Sequence, residues 1–573
     1  MIKNNRIPLK IFRNRLKTPI GYGIIYRKSK PKGRKSKMKI KEKIQRENEL
    51  ERMNHVKHTQ GEMLFTDAVD YMQWVETLSD GRLFTVMGVG KPDGARNNTT
   101  VSQFLFGRIS EDGGKTWGAP YFLFAWPNRK TAYCLQGWKS DRDGRIHVFA
   151  AAITKYDVAD MSRADLQGHI AYVRFDSFRG ENPLYSEIPA LSRYTGSLNN
   201  AIELESGRLV VPFSTYLGGK FVSNTIWSDD HGDNWYASND VKLVDDETNC
   251  ESGAVEPVVA EVEIGTLVMI IRTVKNYFYY AISRDGGESW SAAMPTRIPS
   301  SNAPATLQKL PDGRVFMAWN DCLGHPMHSV QYSAARQCLH GALSDDGLRT
   351  LHGVRILAKK VKEDKDSVMN CYPTTSMASD REILLKHIEV DGKDGSSWRS
   401  VSGYLVRFDT AFLMETQVQD NWTEWVTSQS VSEDGIRFNE MEETAAHAIG
   451  NFPYAQEGSI VLQTKGEKAN VKIMLSNCYL DRSTFFQNSR TARYADFVGR
   501  PYIELHPTGA GEWQITWDKT MIRLYVNGAL CEEIPQTIPG FNHVGLLVDA
   551  GELHLTHFSS KAEKPALQTG ISY

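Results

Sequence analysis

Glu256 and Arg272 sit at opposite termini of two consecutive predicted strands, so a hairpin would bring them together: a carboxylate that can move a proton beside a guanidinium that can hold an anion. Other polar residues are expected at the same end of the fold. Asp70 and Tyr71 open a strand, and Asp93 and Arg96 lie in the loop that follows its partner. Further along come Asn302, Asn320 and Asp321, then His325, His328 and Arg336 in or just after one loop, and Tyr372 at another strand start. Carboxylates, a phenol and several arginines converging on one place suit acid–base chemistry on an anionic substrate. Each group also has a structural reading. Glu256 and Arg272 make a plausible buried ion pair, Tyr372 before Pro373 a packing residue, and Arg336 a surface residue introducing a strand. Asp93, between Pro92 and Gly94, forms a turn unaided, and His325 and His328 read as solvated loop histidines before they read as an acid–base or metal pair.

The elements that would position these groups are announced by repeats. The octapeptide Ser110–Trp117 recurs as Ser228–Trp235 and Ser283–Trp290, with a worn copy at Ser344–Leu351. In each, Ser is first and Asp third, the makings of a turn whose Asp folds back onto backbone amides while a Gly takes positive φ and the Trp fills a gap. A second repeat is a Gly turn entering an apolar strand, at Asp80-Gly81-Arg82, Asp143-Gly144-Arg145, Ser206-Gly207-Arg208, Ile264-Gly265-Thr266, Asp312-Gly313-Arg314 and, degenerate, Asp380-Arg381-Glu382. Spaced by about 50 to 70 residues, these units each read as four antiparallel strands, which is a propeller blade. Six blades are expected, the second having lost its octapeptide near Phe175 and Asp176. The strands after the Gly turns are predicted at Leu83–Met87, Ile146–Ala150, Leu209–Phe213, Leu267–Ile271 and Val315–Trp319. If all Gly turns and octapeptides share one end of the propeller, the polar residues above share the other.

The repeats stop near residue 410. Alternating apolar residues from Trp513 to Trp517 and from Ile522 to Val526 run into Asn527-Gly528, a hairpin signal. The fold class expected is therefore all-β, a six-bladed β-propeller followed by a β-sandwich: a basic leader over 1–60, the propeller over 61–410, a linker over 411–454 that includes the box-like Ser432–Ile436, and the sandwich over 455–573. The Trp513 to Gly528 stretch resembles concanavalin-like and laminin-G-like lectin modules, which implies either glycan binding or a packing domain over the propeller edge.

Charge excludes some partners. With 67 Lys and Arg against 68 Asp and Glu, the chain has no basic field for nucleic acid, and no window has the apolar length of a membrane helix. The leader from Arg34 to Lys43 is basic but lacks the apolar core of a secretory signal, and the seven scattered cysteines contain no Cys-x-x-Cys pair. A reducing, cytoplasmic setting is the expectation, with no cofactor and no metal.

The octapeptides resemble the Asp boxes of the sialidase (neuraminidase) superfamily, over roughly residues 62 to 410. By that resemblance Glu256 and Arg272 match the family's Glu and central Arg, Arg336 stands where a further arginine of the carboxylate clamp is placed, Tyr372 where the nucleophilic Tyr opens the sixth blade, and Asp93 in the loop that supplies the acid/base Asp. The chain departs from the family where sialidases carry Arg-Ile-Pro, here Asp70-Tyr71-Met72-Gln73-Trp74, so the first clamp arginine is missing and Arg96 is the substitute at hand. The resemblance implies a retaining exo-glycosidase acting on a glycan with a terminal sialic or other acidic sugar, with Tyr372, Glu256 and Asp93 catalytic and Arg272, Arg336, Arg96, Asn320 and Asp321 binding substrate. Two alternatives stand beside it. One is a hydrolase or lyase for glycans containing uronic acid or rhamnose, using His325, His328 and Tyr372; the other is a non-catalytic glycan-binding propeller.

Overall fold

The computed structural model describes residues 56–58, 61–67, 74–89, 101–155, 167–188, 201–217, 220–243, 253–322, 336–360, 368–391, 400–427, 429–438, 446–466, 469–480 and 502–573. Asp70, Tyr71, Asp93, Arg96, His325 and His328 lie outside them, as does the leader up to residue 55.

Six antiparallel sheets follow one another along the chain as blades. Blade one runs from Val75–Thr77 to Tyr121–Ala125, blade two from Ala132–Ser140 to Leu184–Ile188, and blade three from Ile202–Glu203 to Tyr236–Ala237. Blade four runs from Val255–Glu263 to Met294–Pro299 and blade five from Thr306–Lys309 to Thr350–Lys360. Blade six takes Val368–Met377, Glu382–Asp391 and Ser400–Asp409 from its own stretch and Glu62–Asp67 from before blade one, so its outer strand is lent by the start of the propeller. That exchange closes the ring with backbone hydrogen bonds and leaves no open end between first and last blade. The predicted strands after the Gly turns all form, some extending further, as in Ile146–Lys155 and Leu209–Leu217.

The Asp boxes are built as their residue types dictate. Ser110 Oγ donates to Asp112 Oδ1 at 2.9 Å and accepts from Gly114 N at 2.8 Å, while Asp112 accepts from Thr116 N at 2.8 Å and Thr116 Oγ1 at 2.6 Å. The same bonds recur from Ser228 to Asn234 and from Ser283 to Ser289. The worn copy keeps them too: Leu348 N donates to Ser344 Oγ at 2.7 Å with Leu348 at φ 70°, a position where the others carry Gly, and Leu351 is buried in place of the Trp. Trp290 shows what the box ring does. Its Nε1 donates to Thr225 Oγ1 of blade three at 2.9 Å, and Thr225 Oγ1 donates to Gly287 O at 2.8 Å, so each bond crosses between blades.

Hydrogen bonds inside the boxes favour the ionised form of their carboxyls. The Thr116 side chain and backbone hold Asp112 down from 3.8 to about 2, and Asp230 and Asp285 are lowered despite the opposing pull of burial, each by its own Asn or Ser hydrogen bonds. A carboxyl whose folded pKa is depressed contributes stability above its unfolded pKa and loses it as pH falls through the folded value. Thermal melts should therefore hold above about pH 4 and drop between there and about pH 2, and Asp285→Asn should flatten that drop; an identical acid limb in the variant would show that the boxes do not set it.

The C-terminal part is a two-sheet sandwich. One sheet orders Ser430–Ser432, Gly435–Phe438, Leu553–Ala562, Gly458–Lys465, Glu512–Trp517, Met521–Val526 and Ala529–Pro535, with Gln417–Gln419 added to Leu553–Ala562; the other orders Val426–Thr427, Ala446–Ala455, Phe541–Ala550, Asn470–Ser476 and Tyr502–Leu505. Trp513, Ile515 and Trp517 point into the core with Phe452, Phe541 and Phe558, and Asn527 at φ 51° with Gly528 at φ 81° forms the expected tight turn. The stretch 411–454 is not a linker. Val418, Trp425, Ile436, Phe438, Ala446 and Ala448 within it are core residues of the sandwich, Ser430–Ser432 and Gly435–Phe438 pair as a hairpin inside it, and Phe412 and Leu413 at its start pack against blades five and six.

Propeller and sandwich are joined by a packed seam. Cys322, Cys338 and Ile356 of blade five pack with Ile449, Met474, Cys478, Tyr479 and Leu547, and Ala566–Gln568 returns to pair with Thr350–His352 of the same blade.

Candidate active site

Glu256 and Tyr372 lie on the innermost strands of blades four and six, and the two strands are bent in the same way. The pairing of Val255–Glu263 with its neighbour slips between Val255 and Val258, and that of Val368–Met377 slips between Cys371 and Thr374. Each bulge contains a residue followed by proline, Glu256-Pro257 and Tyr372-Pro373, and proline withholds the N–H that a regular ladder would use. Glu256 has φ 42° and Tyr372 φ 54°, backbone that L residues with large side chains seldom adopt. Such strain, on the order of 1–3 kcal/mol per residue, persists only where the surroundings impose it, and it collects at functional sites. Ser214 Oγ of blade three accepts from Glu256 N at 3.2 Å and so holds one bulge in place.

Side chains from three blades then form one chain of contacts. Arg272 Nη1 is paired with Glu256 Oε2, and its Nε donates to Asn302 Oδ1 at 2.7 Å. The carbonyl of Asn302 accepts from Arg336 Nη2. Arg336 reaches Cys371 Sγ at 3.9 Å, and its guanidinium carbon stands 5.3 Å from the centre of the Tyr372 ring. Asn302 thus ties the two arginines together, one through its side chain and one through its backbone. Burial raises the Tyr372 phenol above its ordinary value, Arg336 opposes that rise, and the Glu256 charge adds to it. Glu256, Arg272, Arg336, Cys371 and Tyr372 are buried, Arg336 and Cys371 completely, and Asn302 is half-buried.

Two expected substrate-binding residues are placed elsewhere. Asn320 Nδ2 donates to Cys338 O at 2.7 Å, Asn370 O at 2.8 Å and Arg336 O at 3.4 Å, so it clamps backbone. Asp321 faces the sandwich, where its Oδ2 accepts from Asn542 Nδ2 at 2.9 Å. The physical reason is the end of the strand Val315–Trp319: the chain leaves the sheet there, and consecutive side chains serve the blade five and six junction and the seam in turn. Replacing Asn320 by Ala should lower unfolding free energy by about 1–3 kcal/mol, since buried carbonyls lose their donor. A change within error in denaturant melts would show that the clamp carries no weight.

Sequence reasoning placed Asn302 near this end without seeing that it links the arginines, and it missed Ser214, Asn370 and Cys371. Ser214 belongs to a different blade from the bulge it supports, so no spacing signals it. Cys371 could have been found as the residue before Tyr372.

Residues 194–385 match the BNR repeat-like domain family. A stretch of 103 residues, 18% of this chain, is 35% identical to "Anhydrosialidase" of Macrobdella decora, of whose length it spans 12%. Among solved structures, "Hadza microbial sialidase Hz136" is similar with TM-score 0.43 and 16% identity over 60% of this chain and 66% of that one. "Trypanosoma rangeli sialidase" is similar with TM-score 0.41 and 12% identity over 86% and 91%.

Proposed function

For a chain whose propeller belongs to the sialidase and BNR-repeat superfamily, we propose an exo-acting, retaining glycoside hydrolase that releases a terminal acidic sugar from a glycan. The observation that carries this reading is the pair of strained, proline-backed bulges that direct Glu256 toward Arg272 and Tyr372 toward Arg336, two arginines that Asn302 links.

The chemistry follows from charge. A sugar with a carboxylate on its anomeric carbon repels a carboxylate nucleophile, whereas a neutral phenol approaches without that penalty. Glu256 takes the phenolic proton as Tyr372 Oη attacks the anomeric carbon, and the bond to the leaving oxygen breaks with a proton supplied by Asp93. Water, deprotonated by Asp93, then attacks the same carbon, and Tyr372 leaves as its proton returns from Glu256. Arg272 and Arg336 hold the substrate carboxylate by paired hydrogen bonds, with Arg96 as the third arm.

One observation favours a second reading. Arg272 already has Glu256 as its partner and Arg336 is fully buried on a backbone carbonyl, a closed arrangement that suits a propeller which binds glycans without cleaving them. Fluorogenic sialoside, uronoside and rhamnoside substrates, tested on wild type and Tyr372→Phe, separate the readings. Sialoside turnover abolished in the variant supports the hydrolase. Turnover of another glycoside alone moves the substrate class to uronic acid or rhamnose glycans. No turnover across the panel, with glycan binding retained, establishes the binding propeller.

A further inference from the structure

At the seam, three side chains far apart in sequence meet with their donor atoms within 4.8 Å of one another: Asp321 just past the strand Val315–Trp319, His340 in Cys338–Ser344 and His543 in Phe541–Ala550. All three are buried, His340 and His543 completely. Two come from blade five and the third from the sandwich.

The protonation pattern leaves lone pairs facing inward. His543 Nδ1 lies 2.8 Å from Asn542 Oδ1, an acceptor, so Nδ1 carries the hydrogen and Nε2 is bare. That Nε2 stands 3.3 Å from His340 Nε2. The other end of the same Asn542 amide donates to Asp321 Oδ2 at 2.9 Å, which fixes the carboxylate and leaves Asp321 Oδ1 buried with no hydrogen-bond partner. One asparagine therefore orients two of the three donors, as the outer-shell partners of metal ligands do. The spacing agrees with this. Two nitrogens bound at about 2.0–2.1 Å to a tetrahedral ion stand roughly 3.3–3.4 Å apart. A buried carboxylate oxygen without a partner is costly unless a cation or proton meets it.

We propose that Asp321, His340 and His543 form a binding site for a divalent transition-metal ion of the zinc class, which staples the propeller to the sandwich. Two imidazoles and one carboxylate form a donor set that zinc accepts. Asn451, whose Nδ2 lies 3.3 Å from His543 Nε2, gives up that contact when the metal takes the lone pair. The site is remote in role from the Tyr372 cluster and stands whether or not that cluster is catalytic.

The test uses the full chain. Metal content is measured after purification and after stripping with a chelator and titrating zinc back, alongside melting temperature and the visible spectrum with cobalt(II). The expected result is one equivalent of zinc, a melting temperature lowered by about 5 °C or more on stripping and restored by zinc, and a cobalt d–d band. His543→Gln and Asp321→Asn should each weaken zinc uptake at least about 10-fold. No uptake with an unchanged melting temperature overturns the proposal and makes the cluster a metal-free polar contact, with His340 donating to His543. Uptake undiminished in both variants also overturns it, by placing the metal elsewhere. Should the variants not fold, stoichiometry and cobalt spectrum of the wild-type chain decide.

Discussion

Tyr372→Phe should lower kcat/KM on the best glycoside of the panel by at least about 10³-fold while leaving the melting temperature within a few degrees of wild type. The substitution removes one oxygen. Phe keeps the ring beside Arg336, the same bulge and the same φ of 54°, so packing and strain are common to both proteins. What disappears is the atom proposed to bond to the anomeric carbon. Glu256→Gln is a less clean probe, since it also leaves the Arg272 guanidinium without its carboxylate in a buried setting, at a cost of about 3–5 kcal/mol. Its activity loss must therefore be read against its stability loss. A Tyr372→Phe protein with at least a tenth of wild-type activity would remove the phenol from the chemistry and leave Glu256 and Arg272 as a structural pair. The fall should also be confined to turnover. Glycan affinity, measured with an unreactive ligand, should change little, because the arginines proposed to meet the carboxylate are untouched.

How much of this was legible in the sequence depends on the range over which each residue acts. The Asp box is local: Ser110, Asp112, Gly114 and Thr116 satisfy one another within a single turn, so residue types and spacing suffice, even in the copy where Leu351 replaces Trp. The Glu256 and Arg272 contact is also short-range, one hairpin apart, and spacing found it. Asn320 and Asp321 show where such reading stops. A residue at the end of a second strand faces the central cavity only if the chain continues along the sheet direction; here it turns, and the partners, Asn370 from blade six and Asn542 from the sandwich, come from far along the chain. The first strands of the sandwich, inside 411–454, are hard to see in the sequence for a related reason. Strands as short as Val426–Thr427 and Gln417–Gln419 carry too little alternation to register until the sheet that receives them is known. The strained φ of Tyr372 has no sequence signature beyond the following proline, which ordinarily favours extended backbone.

Arg355→Met should destabilise the seam by about 3–5 kcal/mol, the largest stability effect of any single substitution considered for it. Arg355 projects from the strand Thr350–Lys360 of blade five onto the stretch that leads from blade six into the sandwich, where its Nε donates to Glu424 Oε2 at 3.2 Å, its Nη2 is paired with Glu424 Oε1, and its Nη1 donates to Phe412 O at 2.9 Å and Glu415 Oε2 at 2.8 Å. Arg355 and Glu424 are both almost fully buried, so the attraction between them is offset by what both lost on leaving water. Removing one partner strands the other, and that stranded charge is what the single variant measures. Replacing both, as in Arg355→Met with Glu424→Leu, should recover most of the loss, because the carboxylate no longer needs a cation. Glu415 behaves differently: it is largely exposed, and Glu415→Gln should change stability by less than about 1 kcal/mol. Calorimetry supplies the discriminating readout. With the Cys322 and Ile356 cluster and the returning strand Ala566–Gln568 intact, the wild-type propeller and sandwich should melt in one transition, and Arg355→Met should separate them into two. A single unshifted transition in Arg355→Met would mean that the apolar seam alone couples the two parts and that the ion pair only orients it.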